Sequence, residues 1–489
     1  MSLEHLKYGD YSGVDVIYTP PCELTNNQKK KFFSQFSFLY VAKSICFLSK
    51  NLLQNNVSLF GNTPYSNDTL CKALCLAIKY ANNSVLKKDC EPSREDLEKI
   101  LLIANDENDK EFNLIVAVNQ QLCENCENQI ARTWCIFFEL WLEIYGVSPL
   151  HEIEDMVNVP YVLILGFSWS IIKSGYTFEC KDYKEFEKKL GLKVSEKWCE
   201  NYLNFFSCSR NQWISNVSCP PTYISKPILD SGVDPLGRNK KVYFIPSAKN
   251  LISRVTTGLF YDLADKDKEK KVNKFRCQFG KVLEEYVKKI FEFYLDESFV
   301  RSGDIEYGTK RRSQKTTDVL IRRNESLVLI EVKQASLYAE ALYKGDENKV
   351  KLDLKRNIGG AVAELAKTER ALNENHDELK RFCGCKEIFK IIVLSNPLHL
   401  ANSYCKDLLK DDVDLSDVMI MNLYELEMLL DIQQIPQNFF DVLKLKISKY
   451  PNYSFKDFIA YAYPNAKGKR TFIKKYLDEI KRIINSNEL

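Results

Sequence analysis

The sequence has little histidine and little net charge. Its four histidines, His5, His151, His376 and His399, are scattered, and none forms a ligand pair or lies beside an evident nucleophile. A hydrolase triad and a histidine-based metal site are therefore disfavoured. Lys and Arg number 69 against 66 Asp and Glu, a net charge of +3. This charge is too small to indicate a nucleic-acid partner by itself, so any electrostatic argument must be local.

Long hydrophobic runs are also missing. The most apolar run, Tyr161 to Ile172, is well short of the roughly 20 residues that a membrane span needs. Residues 1–10 show no basic segment leading into an apolar stretch, so we expect no signal peptide and no membrane partner. The 16 cysteines are then most simply reduced thiols, as in a cytoplasmic protein. Cys123 and Cys126 form the one CxxC pair, for which packing on a helix is favoured over a zinc site.

The chain is long enough for two or three domains. Up to about residue 220 the apolar residues recur at helical spacing and no strand alternation is evident, and the Pro- and Gly-rich stretch from Cys219 to Gly237 marks a boundary. We predict a helical N-terminal domain over residues 1–235 with a regulatory, targeting or assembly role. An α/β domain over 236–430 and a helical extension over 431–489 complete the prediction.

The pattern after residue 274 alternates between helices and strands. Phe275 to Leu295 carries a single apolar stripe typical of an amphipathic helix. The elements predicted after it are strands at 299–307, 317–321 and 327–332, a helix at 346–372, and strands at 388–394 and 418–423.

The central hairpin, residues 317–332, carries charged residues at its open end. Asp318 begins the first strand, and the second ends in Glu331, Val332 and Lys333. Alternation along a strand sends Glu331 and Lys333 to one face and Val332 to the other. Two carboxylates and one ammonium then converge, a set that suits a Mg²⁺ ion and a water beside it.

Asp318 followed by Glu331-x-Lys333, on adjacent strands preceded by an amphipathic helix, resembles the PD-(D/E)xK nuclease superfamily. Gln334 matches the ExKQ form of that motif, whereas Thr317 stands where the motif has proline. The resemblance covers roughly residues 275–425. It implies an αβββαβ core, a mixed sheet flanked by helices, here preceded by the large helical N-terminal domain.

The resemblance also implies the roles of the site residues. Asp318 and Glu331 would bind Mg²⁺ or Mn²⁺, with the carbonyl of Val332 as a third donor. Lys333 would orient or deprotonate the attacking water and offset charge in the transition state. Gln334 would orient a neighbouring group. The expected reaction is hydrolysis of a phosphodiester bond.

Members of this superfamily often carry an acidic residue on the first core helix, and Glu284 and Glu285 are both candidates. At about 100° per residue, the centre of the apolar stripe lies roughly 95° from Glu284 and nearly opposite Glu285. Glu284 is therefore predicted to reach the strand ends and contribute to the metal site, and Glu285 to face solvent. The alternative is two surface carboxylates.

Basic residues flank the first strand of the hairpin and could contact phosphates on either side of the scissile bond. A solvated loop is the alternative for this cluster. No base-reading module is evident, so no sequence preference is predicted. The cluster consists of Lys310, Arg311, Arg312, Lys315, Arg322 and Arg323.

The leading interpretation is a metal-dependent endonuclease with DNA as the favoured substrate. Its helical N-terminal domain would restrain or target it through a protein partner or self-assembly, an arrangement that resembles prokaryotic anti-phage defence effectors. The alternatives are a nuclease that cleaves RNA such as tRNA, and a nucleic-acid-binding scaffold that does not cleave. Asp318, Glu331 and Lys333 would form a surface ion pair at a sheet end if no site exists.

Overall fold

The computed structural model describes residues 126–486, with gaps at 174–176, 181–183, 192, 210–211, 213–224, 234–240, 245–247, 266–273, 310–311, 335–346, 397, 399–400, 403, 467 and 469–470. Most of the helical segments predicted for the N-terminal domain, those before residue 126, lie outside the described residues, as does Cys123.

The first described part is mainly helical. A π-helical turn, Trp134–Leu140, follows the first helix without a break. Its aromatic side chains pack on the helix Lys274–Tyr294, where Phe137 stacks on Phe279 with ring centroids 5.4 Å apart. Trp134, Phe137 and Trp141 are buried in this packing, whereas Phe138 is half-buried. The helices are α1 Cys126–Thr133, α2 Trp141–Tyr145, α3 Leu150–Val157, α4 Tyr161–Lys173, α5 Lys184–Leu190 and α6 Glu196–Phe206.

A small sheet corrects the prediction that no strand occurs before about residue 220, since two of its strands, at 177–180 and 207–209, precede that residue, whereas its strand at 241–244 agrees with the short strand predicted at 242–245. It has four strands in the order β1-β4-β3-β2, and β3 and β4 pair antiparallel across the boundary predicted at residue 235. Its strands are short and paired over long sequence separations, so alternation had too few residues to show in the sequence. The strands are β1 Thr177–Cys180, β2 Ser207–Ser209, β3 Ile228–Val233 and β4 Lys241–Phe244.

The helix predicted at 275–295 is confirmed as α9, Lys274–Tyr294, after two short helices, α7 Ala248–Val255 and α8 Leu259–Asp265. Its buried residues recur at three and four positions and form the predicted stripe. Val282, Tyr286 and Ile290 on this stripe are fully buried. The stripe therefore fixes which face of α9 packs on the sheet.

A mixed sheet of five strands follows, in the order β11-β10-β9-β8-β5. β5, β8 and β9 pair antiparallel, whereas β9, β10 and β11 pair parallel. The strand predicted at 299–307 divides into β5 and β6, and β6 pairs with β7 as a separate ribbon. The strands are β5 Val300–Gly303, β6 Glu306–Tyr307, β7 Gln314–Lys315, β8 Val319–Arg323, β9 Ser326–Lys333, β10 Glu387–Leu394 and β11 Val418–Asn422.

Hydrophobic cores lie on both faces of this sheet. Val328 and Ile330 on β9 face the core that contains α9, and Leu327 and Leu329 face the second core. The second core is covered by the helix predicted at 346–372, which is observed in three continuous pieces. These are α10 Glu347–Leu354, a π-helical turn Lys355–Gly359 and α11 Gly360–Asn373; α12 Tyr404–Leu409 follows β10.

The C-terminal helices pack against both the sheet and the first helices. Glu427 on α13 forms a buried ion pair with Arg132 on α1, and α16 also packs on α1. The core that contains α9 is continuous from Ile130 to Ile480, across both predicted domain boundaries. The helices are α13 Leu423–Leu430, α14 Phe439–Lys449, α15 Phe455–Ala462 and α16 Thr471–Ser486.

Within the described ranges, no single helix is long and apolar enough to cross a membrane. The bent pair α3 and α4, whose axes differ by 67°, meets those criteria of length and composition when the two helices are taken together. Most residues of α4 are buried in the core.

Candidate functional site

The open end of the β8–β9 hairpin brings the predicted acidic residues together. Val319 pairs with Ile330, so the next position places Asp318 opposite Glu331. Opposite residues of an antiparallel pair share a face of the sheet, as do Glu331 and Lys333 two positions apart. Glu331 and Lys333 therefore lie on the face covered by α11, where Leu329 is buried, and Asp318 lies just beyond the ladder at the position opposite Glu331. The prediction that Glu331 and Lys333 share a face is confirmed.

Asp318 lies directly before β8 and is half-buried. Its Oδ2 accepts a hydrogen bond from the N–H of Val332 at 2.7 Å. Burial raises the pKa of Asp318 above its ordinary value, although the Val332 N–H and the charge of Lys333 oppose this effect. The carboxylate is thus held firmly in a place that disfavours its negative charge.

Glu331 is the more buried carboxylate, with 4 % of its surface exposed. Burial raises its pKa, and the charge of Asp318 raises it further, whereas Lys333 acts in the opposite direction. Two carboxylates at close range in a dry environment are each more stable when a cation is beside them. A single lysine does not remove this excess of negative charge.

Lys333 donates a hydrogen bond from Nζ to Oε1 of Glu331. Burial disfavours its charge, but the charge of Glu331 and this hydrogen bond outweigh burial and raise the pKa of Lys333 above its ordinary value. The side chain is 31 % exposed. Lys333 is therefore an ammonium at neutral pH with one side open to an incoming ligand.

Glu284 on α9 joins this group from the neighbouring helix. Burial, followed by the charge of Asp318, raises the pKa of Glu284 to about 7. The adjacent Glu285 instead pairs with Lys288 at 3.4 Å and has a side chain that is 43 % exposed. The two glutamates thus differ as the helical wheel predicts, with Glu284 directed to the strand ends.

Three further charged residues act on the site. A Cβ atom at Gly303, at the end of β5, would be 2.8 Å from Lys288 Nζ, which places this lysine over the strand end. The charges of Lys288 and Asp304 act on both Asp318 and Glu284. Glu364 on α11 acts on Glu331 and Lys333. Sequence reasoning missed all three.

The missed residues differ in whether the sequence could have revealed them. Lys288 is four residues after Glu284 on α9, a spacing that places both on one helix face. This signal could have been used. Asp304 and Glu364 reach the site only through the packing of a loop and of α11, and no local pattern marks them.

Gln334 follows β9 directly and is half-buried. Of the predicted basic cluster, Lys310 and Arg311 lie outside the described residues. Arg312 is exposed, and Lys315 on β7 donates a hydrogen bond to Oδ2 of Asp304 at 2.7 Å while its side chain stays 59 % exposed. Lys315 is therefore connected to the site through Asp304.

Arg322 and Arg323 lie away from the acidic residues, and their contact with phosphates stays a prediction, against which their hydrogen bonds within the protein weigh. They lie at the turn of the hairpin, roughly 13 and 16 Å along the strand from Asp318, since a strand advances about 3.3 Å per residue. Arg322 donates to the carbonyl of Arg381 at 2.6 Å. Arg323 donates to the carbonyl of Gln437 and lies 4.8 Å from the ring centroid of Phe299. Both guanidinium groups serve packing and hydrogen bonding.

The carboxylate oxygens at the strand ends are the kind of ligand that a hard divalent cation such as Mg²⁺ prefers. Asp318 and Glu331 each use one oxygen atom in the hydrogen bonds described above, and a carboxylate has lone pairs on both oxygens. In the part of the chain that the structure describes, no three His, Cys, Asp or Glu residues are arranged as a ready metal site. Mg²⁺ needs few protein ligands because it keeps several waters, so two carboxylates suffice chemically.

No protein-family model matches the chain, and a search of curated proteins found no match. The case for a function therefore rests on the geometry and electrostatics of these residues.

Proposed function

We propose that α9 to α13 form a PD-(D/E)xK nuclease-like core and that the chain is a Mg²⁺- or Mn²⁺-dependent endonuclease. The observation that supports the proposal is the buried Glu331 and the half-buried Asp318 beside Lys333, where the charge of Asp318 acts on both Glu331 and Glu284. Burial of several carboxylates is costly unless a cation offsets their charge. Groups with such raised pKa values are concentrated at functional sites.

Asp318 and Glu331 would hold the metal directly and Glu284 through a water, with the carbonyl of Val332 as a further oxygen donor. When bound, the ion would polarise a phosphoryl oxygen and make a neighbouring water more acidic. The N–H of Val332 fixes the orientation of the Asp318 carboxylate and favours its ionised form. Gln334 would orient a group beside the substrate.

Lys333 would act as a cation. Because its pKa is raised, it keeps its proton at neutral pH, and its exposed side can contact a phosphate oxygen as negative charge develops in the transition state. A carboxylate with a raised pKa is the better acceptor for the proton of the attacking water. Glu284, with a pKa of about 7, meets this requirement.

The substrate proposed is nucleic acid, with DNA favoured over RNA. Arg312 and Lys315 would contact phosphates flanking the cleaved bond, and such contacts carry little sequence preference. The described N-terminal helices share a continuous core with α9, so a partner or a second copy that binds the N-terminal part could influence the site. By analogy of architecture, the setting proposed is cytoplasmic anti-phage defence.

The test is incubation of the purified full chain with plasmid DNA, single-stranded DNA and total RNA, each with Mg²⁺ and with EDTA. Mg²⁺-dependent cleavage of DNA supports the proposal, and Lys333→Met provides the matched inactive control. Cleavage of RNA alone would assign the RNA alternative. Binding of nucleic acid without cleavage under any condition would favour a scaffold, and cleavage that persists in EDTA would refute the metal assignment.

A further inference from the structure

The residues that lead into β8 are anchored before the strand begins. The N–H of Thr316 donates to the carbonyl of Ile305 at 3.0 Å, and Thr316 Oγ1 accepts the N–H of Ile305 at 2.8 Å. Two positions later, Asp318 Oδ2 accepts the N–H of Val332. The loop before β6 and the strand β9 thus hold the two ends of this short segment.

The middle residue, Thr317, is held by a side chain from α11. Its N–H donates to Oγ1 of Thr368 at 2.8 Å, and both residues have 0 % exposure. A buried backbone N–H needs an acceptor, because no water is present to replace one. Thr368 therefore determines where the backbone of Thr317 lies.

Asp318 needs such anchoring because it is outside the hydrogen-bonded ladder. The last pair of the ladder is Val319 with Ile330, one residue further into the sheet. The side-chain orientation of Asp318 is consequently set by the segment before it and by its bond to Val332. A change in the backbone at Thr317 would move the carboxylate relative to Glu331.

We propose that Thr368 is a positioning residue for the metal site, which holds the backbone of Thr317 so that the Asp318 carboxylate faces Glu331. The inference rests on the proposed function. α11 also carries Glu364, one turn before Thr368, whose charge acts on Glu331. This helix thus contributes both to the geometry and to the electrostatics of the site.

The hydrogen bond to Thr368 also explains why position 317 requires a residue with a backbone N–H. Proline, which the resembling motif has there, lacks an N–H and could not form this bond. Threonine supplies the N–H, and Thr368 supplies the buried acceptor for it. The threonine that replaces the motif's proline at position 317 therefore has a hydrogen-bond acceptor on α11, the hydroxyl of Thr368.

The test measures Mn²⁺ binding to the full chain by calorimetry, without nucleic acid. Thr368→Val keeps the shape and removes the acceptor, and it should weaken Mn²⁺ binding roughly 10- to 100-fold, as loss of an outer-shell partner does. Thr368→Ser restores the hydroxyl and should bind within about threefold of the natural chain. Thr256→Val is the matched control, since Thr256 is equally buried and its hydroxyl donates to the carbonyl of Ile252, away from the site.

Each outcome decides between the two claims. Failure of the natural chain to bind Mn²⁺ would refute the proposed function and the inference with it. Binding by the natural chain that Thr368→Val leaves unchanged, or that Thr256→Val weakens equally, would overturn the inference alone. Equal weakening by Thr368→Ser and Thr368→Val would also overturn it, because the hydroxyl would then not matter. Thr368→Ala replaces Thr368→Val if the valine variant does not fold.

Discussion

Two buried carboxylates, Glu427 and Glu331, are held in opposite ways. Glu427, 2 % exposed, accepts two hydrogen bonds from Arg132 at 2.6 and 2.8 Å and one from Tyr286 at 2.7 Å. Glu331, 4 % exposed, is close enough to Asp318 for the charge of that carboxylate to raise its pKa, and it is paired with a half-exposed lysine.

This difference distinguishes a buried ion pair that supports the fold from a cluster of charges that favours a bound cation. Around Glu427 the hydrogen-bond donors match the carboxylate oxygens, and the cluster joins α1, α9 and α13. A bound ligand could therefore add little to the hydrogen bonding or the charge balance there. Around Glu331 the negative charges exceed the positive ones. A bound cation would improve that balance, and this is the reason to assign function there.

The largest effect expected is loss of cleavage at the Glu331 cluster. Asp318→Asn and Lys333→Met should each lower the cleavage rate roughly 10³-fold or more, because each removes a charge that is proposed to act in the reaction. Their circular dichroism and melting temperatures should stay close to those of the natural chain. Cleavage by Lys333→Met at the normal rate would remove the distinction between the two clusters.

The second effect is loss of stability at the Glu427 cluster. Glu427→Gln leaves Arg132 buried without its counter-charge and should lower the free energy of unfolding by about 3–5 kcal/mol. Denaturant unfolding measures this, and the cleavage rate per folded molecule should change little. The double variant Glu427→Leu with Arg132→Met should recover most of the stability, and failure to recover it would mean that the pair has more than a structural role.

A smaller effect separates the two neighbouring glutamates on α9. Glu284→Gln should weaken the dependence of cleavage on Mg²⁺ and lower the rate roughly 10- to 100-fold. Glu285→Gln should stay within about twofold, because Glu285 faces solvent and pairs with Lys288. A Mg²⁺ titration of both variants makes the comparison. The reverse result would show that α9 presents a different face to the strand ends.

Stability without metal should depend on pH in a defined direction. The pKa of Glu331 is higher in the folded chain than its ordinary value, so the folded state binds the proton more tightly and loses stability as pH rises through that raised pKa. Glu331→Gln should therefore raise the melting temperature by about 1–2 °C at alkaline pH and should lose this advantage as pH falls towards the ordinary carboxylate pKa. Mg²⁺ should stabilise the natural chain and not the variant. A Glu331→Gln variant that melts no higher than the natural chain at alkaline pH without metal would contradict the assignment.

The smallest effect concerns the basic residues at the two ends of the hairpin. Arg312→Ala should lower the magnitude of the slope of the logarithm of DNA affinity against the logarithm of salt concentration by about one, the amount expected for one lost phosphate contact. Arg322→Ala should leave DNA binding unchanged and slightly lower stability, since its guanidinium already binds the carbonyl of Arg381. A larger loss of DNA binding from Arg322→Ala than from Arg312→Ala would show that the turn end contacts the substrate.

Local periodicity in the sequence was enough to predict the central elements and the faces of their side chains. The period of two along β9 placed Glu331 and Lys333 together, and the stripe on α9 separated Glu284 from Glu285. Both predictions depend on the geometry of a single element, which neighbouring residues determine.

Only the tertiary structure decided which distant groups meet. The pairing of β1 with β4, the arrival of Asp304 and Glu364 at the site, and the ion pair between Arg132 and Glu427 join segments that are far apart in sequence. Arg322, at the turn of the hairpin, likewise donates a hydrogen bond to the carbonyl of Arg381, which is 59 residues away in the sequence. Such contacts depend on how helices and strands pack. The residue pattern along one segment contains no information on which distant segment lies beside it.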